Sequence, residues 1–163
     1  MATTALGGSP AHTVGELPAL GADAPSFTLT GSEFEEVTLP AGTRTVLNIF
    51  PSIATGICQA SVRRFNEIAA EHADTTMICV SADLPFALAG FCGAEGLENV
   101  VTASSFRSGF GTDYGVTLVD SKWEGLLARA VVVVDADGKV THTQVVPDIG
   151  TEPDYAAAVA ALG

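Results

Sequence analysis

The side chains with the greatest capacity for covalent chemistry are the three cysteines, Cys58, Cys79 and Cys92. A cysteine thiolate is a nucleophile, and its sulfur can be oxidised and later reduced again. No two cysteines have the Cys-x-x-Cys spacing of a thioredoxin-type disulfide reductase, and no Cys/His pair has the spacing of a zinc site. The chemistry open to each thiol therefore depends on the element that carries it.

Cys58 follows a predicted central strand. Residues 44–50 form an apolar, β-branched run, and Pro51 ends it because proline has no backbone N–H for a strand ladder. Apolar residues then recur at helical spacing, at Cys58, Val62, Phe65 and Ala69. The pattern predicts a helix over residues 58–72 with Cys58 in its first turn, where free N–H groups and the helix dipole stabilise a thiolate. A buried packing cysteine is the alternative.

The other two cysteines differ in their setting. Cys92 lies near the end of a second predicted helix, which begins near Asp83 with Pro85 in its first turn. Cys92 is therefore either a residue that packs at the end of this helix or one with a chemical role. Cys79 lies inside the predicted strand 76–81, where we expect burial and an unreactive thiol, since burial raises a thiol's pKa.

Three further residues are candidates for a site around Cys58. Arg129 interrupts the predicted apolar strand 128–134, and a buried guanidinium needs either an ion-pair partner or a functional one. Thr55 is either a site residue or a helix N-cap, and Pro51 ends a strand whatever else it does. Arg63 and Arg64, on the helix of Cys58, are expected to be solvated.

The remaining pattern predicts the elements that position these residues. Further strands are expected at residues 26–30, 36–39, 99–102 and 140–145, a helical turn or loop at 105–114, and a closing helix at 153–162. Strands and helices that alternate in this order predict an α/β, thioredoxin-like fold with a mixed central sheet flanked by helices. We expect one domain over residues 1–163, with residues 1 to about 25 as an extension.

Composition excludes several classes of partner. Acidic residues outnumber basic ones 19 to 7, giving a formal charge of −12, so nucleic acids and anionic membrane surfaces would repel the protein. No run of 18 apolar residues predicts a membrane span, and residues 1–16 lack the pattern of a secretion signal. We expect a cytoplasmic protein, in which a disulfide would be transient and catalytic.

The segment from Pro51 to Cys58 matches the Pro-x-x-x-Thr-x-x-Cys signature of the peroxiredoxins. The wider sequence resembles their bacterial thiol peroxidase branch, the atypical two-cysteine peroxiredoxins, through the runs VLNIFPS, SVRRFNE, SADLPFA, FCGAEG, ENVVT, DYGV and GLLARAVVV. The resemblance extends from about Val14 to Leu162. It implies a thioredoxin-like fold with a small N-terminal β-hairpin.

The resemblance also implies a role for each candidate residue. Cys58 matches the peroxidatic cysteine and Cys92 the resolving cysteine. Arg129 matches the arginine that holds the thiolate and polarises the peroxide. Thr55 matches the threonine that hydrogen-bonds with both, and Pro51 shields the thiolate from water.

The implied activity is that of a thiol-dependent peroxidase for hydrogen peroxide and for alkyl or lipid hydroperoxides. Cys58 would become a sulfenic acid, form an intramolecular disulfide with Cys92, and be restored by thioredoxin or a similar dithiol. No metal or organic cofactor is expected, and the family implies a homodimer. A thioredoxin-like thiol–disulfide oxidoreductase and a non-catalytic binding or chaperone module are the alternatives.

Two segments depart from the family pattern. Ala54 and Gly56 replace the aspartate and proline that usually flank the threonine, so the loop before Cys58 is expected to be less rigid. Residues 88–90 read Leu-Ala-Gly where relatives carry polar, basic residues before the resolving cysteine. Reductase docking or the ease of unwinding is expected to differ there.

Overall fold

The structure, a computed structural model, describes all 163 residues. The strands are β1 (Thr3–Leu6), β2 (Ser9–His12), β3 (Thr28–Gly31), β4 (Glu36–Thr38), β5 (Arg44–Ile49), β6 (Thr75–Ser81), β7 (Val101–Ser104), β8 (Ala130–Val134) and β9 (Val140–Val145). The helices are α1 (Gly56–Glu71), α2 (Pro85–Glu95), α3 (Phe110–Asp113) and α4 (Tyr155–Ala160). None of the four helices has the length and apolar character that a membrane span requires.

A seven-stranded mixed sheet organises the chain, in the order β4-β3-β7-β6-β5-β8-β9. β5 runs parallel to β6 and β6 parallel to β7, whereas the other pairs are antiparallel. β1 and β2 form a separate antiparallel hairpin at the N-terminus. The predicted mixed α/β sheet and N-terminal hairpin are therefore confirmed. β5 lies between β6 and β8, so the loop that follows it begins inside the sheet rather than at its edge.

Alternation along the strands divides the core between the two faces of the sheet. Leu47 and Ile49 of β5 belong to the larger cluster, which is covered by aromatic residues of the α3 region. Val46 belongs to the opposite cluster, with Phe65 of α1 and Ala158 of α4. Side chains that alternate with Leu47 and Ile49 thus face α1, the helix that carries Cys58.

Two predicted boundaries are corrected. Helix α1 begins at Gly56 rather than at Cys58, since Thr55 caps it. β8 begins at Ala130, so Arg129 lies immediately before the strand rather than inside it. The backbone around Arg129 pairs with loops instead of a strand: the carbonyl of Arg129 accepts from the N–H of Val146 at 3.0 Å.

Candidate active site

Cys58 lies in the first turn of α1 and is fully buried. Thr55 is the N-cap, with extended backbone, and its hydroxyl oxygen accepts a 3.4 Å hydrogen bond from the N–H of Cys58. The same hydroxyl donates to the carbonyl of Ser52 at 3.3 Å. The N-cap interpretation of Thr55 is correct, and it places this hydroxyl next to the backbone of the thiol-bearing residue. Helix end and cap together orient partial positive charge toward the sulfur.

Arg129 is the charged partner of Cys58. Its Nη2 donates to the Cys58 Sγ at 3.3 Å, and its Nε donates to the carbonyl of Ile149 at 2.8 Å. Only 1% of Arg129 is exposed, and no carboxylate pairs with it. A buried guanidinium without a counter-ion is costly, and the Cys58 sulfur is the side-chain atom that its Nη2 contacts. The structural ion-pair alternative finds no carboxylate.

One nitrogen of Arg129 has no partner. Its Nη1 is buried and makes no hydrogen bond. A buried, unsatisfied donor is costly to leave unpaired, and such a group in a native structure calls for an explanation, of which a catalytic role is one. This nitrogen belongs to the guanidinium that contacts the Cys58 sulfur, so the site holds one donor that no protein group uses.

Asp83 fixes the loop between β5 and α1. Its carboxylate accepts from the Ser52 hydroxyl at 2.8 Å, the Ile53 N–H at 2.7 Å and the Ser81 hydroxyl at 2.6 Å. Asp83 follows β6, which runs parallel to β5, so the two carboxyl ends lie side by side. Pro51 is buried at the start of this loop. The loop that Gly56 was expected to loosen is therefore anchored from the neighbouring strand.

Two hydrogen bonds in series connect Asn48 of β5 to the backbone of Cys58. Asn48 is buried on the α1 face of β5, and its Nδ2 donates to the Ser61 hydroxyl at 3.2 Å. That hydroxyl donates to the carbonyl of Cys58 at 2.8 Å. Sequence reasoning missed both Asn48 and Asp83. The available signals were an amide inside an apolar strand and an aspartate just after another one.

Cys79 is a core residue, as predicted from its strand. It is fully buried, and its sulfur lies 3.7 Å from the Nδ2 of Asn48. Burial raises the pKa of its thiol to about 12, and the Asn48 contact offsets only part of that effect. The thiol is therefore protonated at neutral pH and a poor nucleophile.

Cys92 is half-buried, in the last part of α2. Burial raises the pKa of its thiol, partly offset by a hydrogen bond to the Thr102 side chain. Cys92 lines a cavity of about 320 Å³ together with Thr102, Leu97 and Val100. It also packs against the cluster that contains Cys58 and Leu88. The two cysteines, 34 positions apart in sequence, thus border one apolar cluster while both are free thiols.

The structure places Arg129 against the Cys58 sulfur, Thr55 against its backbone N–H, and Pro51 buried at the start of the preceding loop, with Cys92 on the adjoining helix. No group of three or more histidine, cysteine or acidic side chains is arranged to hold a metal ion. The arrangement can stabilise a thiolate, offer donors to a bound oxygen, and supply a second thiol if α2 moves.

The amino-acid sequence is similar to one protein family and to named proteins along nearly its whole length. The Redoxin family model matches residues 19–159. The thiol peroxidase of Mycobacterium tuberculosis (strain ATCC 25618 / H37Rv) is 54% identical over 165 residues, covering 100% of this chain and 99% of the relative. That of Corynebacterium glutamicum is 54% identical over 164 residues, covering 99% of each.

Solved structures show the same likeness at the level of the fold. A peroxiredoxin-like protein from Aquifex aeolicus superposes with a TM-score of 0.93 at 36% identity, covering 97% of this chain and 94% of that one. A thiol peroxidase from Chromobacterium violaceum superposes with a TM-score of 0.90 at 21% identity, covering 98% and 94%. The thioredoxin-like fold expected from the sequence is thereby confirmed.

Proposed function

The chain belongs to the Redoxin family and, within it, to the thiol peroxidases, and on that premise we propose that it reduces peroxides through Cys58. The observation that carries the assignment of the nucleophile is the 3.3 Å contact between the Arg129 Nη2 and the Cys58 Sγ. A fixed charge beside a buried sulfur stabilises the thiolate before any substrate arrives. Neither Cys79 nor Cys92 has a comparable partner.

In the first step, the Cys58 thiolate attacks one oxygen of the peroxide, ROOH. The S–O bond forms as the O–O bond breaks, and the departing oxygen takes a proton to leave as ROH or water. Cysteine is oxidised to a sulfenic acid and the peroxide is reduced. We propose that the free Nη1 of Arg129 donates to a peroxide oxygen and that the Thr55 hydroxyl, at the backbone N–H of Cys58, supplies a second contact. Pro51 forms part of the wall that keeps water away.

In the second step, the Cys92 sulfur attacks the Cys58 sulfenic sulfur. The S–S bond forms, and the hydroxyl leaves with the Cys92 proton as water. A disulfide requires Cα atoms within about 7 Å, and we propose that the turn of α2 that carries Cys92 leaves its helix to bring the two cysteines together. Gly90 and Gly93 favour this, since each interior helix glycine costs about 1 kcal/mol relative to alanine. A Cβ at either position would meet open space, so packing does not require glycine there.

In the third step, an external dithiol restores both cysteines by thiol–disulfide exchange. We propose a thioredoxin-type protein as this reductant. Hydrogen peroxide and alkyl or lipid hydroperoxides are the proposed substrates. The cytoplasm is the proposed location, because thioredoxin-type dithiols are kept reduced there.

A homodimer is proposed from an exposed aromatic patch. Phe34, Leu84, Phe86 and Phe106 are 41%, 54%, 71% and 42% exposed. The rings of Phe34 and Phe86 lie 5.1 Å apart, and Arg107 stacks on both Phe34 and Phe106. Contiguous exposed apolar groups of this kind mark interaction surfaces. Sedimentation of wild type against Phe86→Ser tests the proposal: the variant should shift toward monomer, and two equal profiles would contradict it.

The function is tested by peroxide consumption in the presence of a thioredoxin system. Wild type and Cys79→Ser should turn over, whereas Cys58→Ser should lose all measurable activity because it lacks the nucleophile. Full activity in Cys58→Ser would remove the proposed mechanism. Reduction of a protein disulfide by wild type, without peroxide consumption, would support the oxidoreductase alternative instead.

A further inference from the structure

Arg63 joins the helix of the peroxidatic cysteine to the helix of the resolving cysteine. It lies on α1, five positions after Cys58, and its Nη2 contacts the Oε1 of Glu95 at 2.7 Å. Its guanidinium carbon also lies 5.4 Å from the centre of the Phe91 ring. The sequence predicted a solvated arginine, and about 42% of its side chain is exposed, but its head group also contacts α2 twice.

Both contacts fall on the turn that has to move. Phe91 immediately precedes Cys92, and Glu95 is the last residue of α2. Gly96 then ends the helix in a left-handed conformation, with its N–H bonded to the carbonyl of Cys92. Unwinding this turn to bring Cys92 to Cys58 would displace both Phe91 and Glu95 from Arg63.

We propose that Arg63 is a positioning residue that latches the C-terminal turn of α2 and so sets the rate at which Cys92 resolves the sulfenic acid. The proposal rests on the two-cysteine mechanism above. In the step it controls, the Cys58 S–O bond breaks, the Cys58–Cys92 S–S bond forms, and the Cys92 proton leaves with the hydroxyl as water. Arg63 takes no part in that bond exchange. It governs how often the second thiol is available.

The Arg63 contacts also affect how the Cys58 sulfenic acid divides between two reactions, disulfide formation with Cys92 and further oxidation by peroxide. While α2 is closed, a second peroxide molecule can oxidise Cys58 to a sulfinic acid, which thiols do not reverse. A tighter latch therefore means more inactivation per turnover, and a looser latch means less. Gly90 and Gly93 act in the opposite direction because they weaken the same helix. Arg63 holds the pKa of the Glu95 carboxyl below its usual range, so the pair is charged throughout the neutral pH range.

Glu95→Gln tests the proposal, since it removes the charge with little change in shape, and Arg63→Gln serves as a second variant. Each reduced protein is mixed with one equivalent of hydrogen peroxide and quenched with an alkylating agent at successive times. We expect disulfide to form two- to fivefold faster than in wild type, while the rate of peroxide loss is unchanged. With excess peroxide, sulfinic acid per turnover should fall by the same factor.

Glu67→Gln is the matched control. Glu67 pairs with Arg64 on the same helix at 3.2 Å, in an exposed ion pair within α1. This variant should resolve at the wild-type rate. Added salt provides an independent readout, because it screens exposed ion pairs: the resolution rate of wild type and of Glu67→Gln should rise with salt, whereas that of Glu95→Gln should not.

Two outcomes would overturn the latch. If Glu95→Gln and Arg63→Gln form disulfide at the wild-type rate with the wild-type salt dependence, Arg63 is a surface residue only and the two-cysteine mechanism stands. If the wild type consumes peroxide but never forms a Cys58–Cys92 disulfide, the latch fails together with the proposed resolving step.

Discussion

The surroundings of Cys58 and Cys92 contrast in almost every physical respect. Cys58 is fully buried, hydrogen-bonded to Arg129, and carried on a helix whose cap and preceding loop are fixed by Thr55 and Asp83. Cys92 is half-buried beside a cavity, on a helix that contains two glycines and has no side-chain cap at its start. The first thiol is held for attack on a small molecule. The second lies on a helix segment that we expect to move.

The difference shows how one domain can combine preorganisation with motion. Electrostatic stabilisation of a transition state requires donors that do not reorganise during the reaction, which the Cys58 side provides. Local unfolding takes place where few strong contacts resist it, and the contacts of the end of α2 with Arg63 of α1 are an exposed ion pair and a cation–π contact. Changes on the Cys58 side should therefore alter the rate of sulfenic acid formation, and changes on the Cys92 side should alter only its resolution.

Arg129→Met should give the largest effect. Removing the guanidinium leaves the Cys58 sulfur without its charged partner, so peroxide reduction should slow by at least about tenfold, or roughly 1.4 kcal/mol of transition-state stabilisation. Stopped-flow peroxide consumption under single-turnover conditions measures this. Arg44→Gln, at an exposed arginine paired with Asp74, is the control and should match wild type. If Arg129→Met reduced peroxide at the wild-type rate, the role of Arg129 would be structural and not catalytic.

Asp83→Asn should give the next largest effect. An amide keeps the shape but loses the charge that accepts hydrogen bonds from Ser52, Ile53 and Ser81. We expect about 2 kcal/mol less free energy of unfolding in urea, and a three- to tenfold slower sulfenic acid formation. The rate of the later disulfide step should be unchanged. If Asp83→Asn slowed only disulfide formation, the loop would act on the step that uses Cys92 and not on the reaction of Cys58 with peroxide.

Gly90→Ala should act on the Cys92 side alone. The added methyl group meets open space and stabilises α2 by up to about 1 kcal/mol, so disulfide formation should slow about threefold. Ala94→Gly, at an exposed position of the same helix, should accelerate it. Quenched-flow alkylation measures the rate of disulfide formation in both variants. Their rates of peroxide consumption should equal that of wild type. Equal resolution rates in the two variants would mean that helix stability does not limit this step.

A smaller effect is expected from pH. Burial raises the pKa of Cys92 in folded α2, so the neutral thiol contributes stability below the ordinary thiol pKa of about 8.5. That contribution is lost as pH rises toward the raised folded value. In Cys58→Ser, hydrogen exchange of α2 should therefore speed up about twofold between pH 8 and 9.5, beyond the intrinsic pH dependence. Cys58→Ser/Cys92→Ala should lack this increment, and its presence there would assign it to another group.

Sequence reasoning reached further on the Cys58 side than on the Cys92 side. The strand, the proline and the helical spacing after it placed Cys58 in a first turn, because each signal is local. The motif then supplied the interpretation of Thr55, Pro51 and Arg129. What the sequence did not show were contacts between distant segments. Asp83 reaches the loop only because β6 lies beside β5 in the sheet.

Two arginines show that contacts between distant segments could not be predicted from the sequence. Arg129 was expected inside a strand, yet it precedes β8 and its backbone and side chain bond to the segment around Val146 and Ile149. Arg63 was expected to be solvated and is partly exposed, but the sequence did not show that it also contacts α2. In both cases the partner is more than 15 residues away along the chain, and no local pattern encodes which segments will meet.

The most direct test of the contrast between a fixed and a mobile thiol is peptide mapping by mass spectrometry after one equivalent of peroxide. The account predicts a Cys58–Cys92 bridge within one chain, with Cys79 free, and a Cys58 sulfenic acid that over-oxidises in Cys92→Ser. A Cys58–Cys79 bridge, or an interchain Cys58 bridge as the main product, would contradict it.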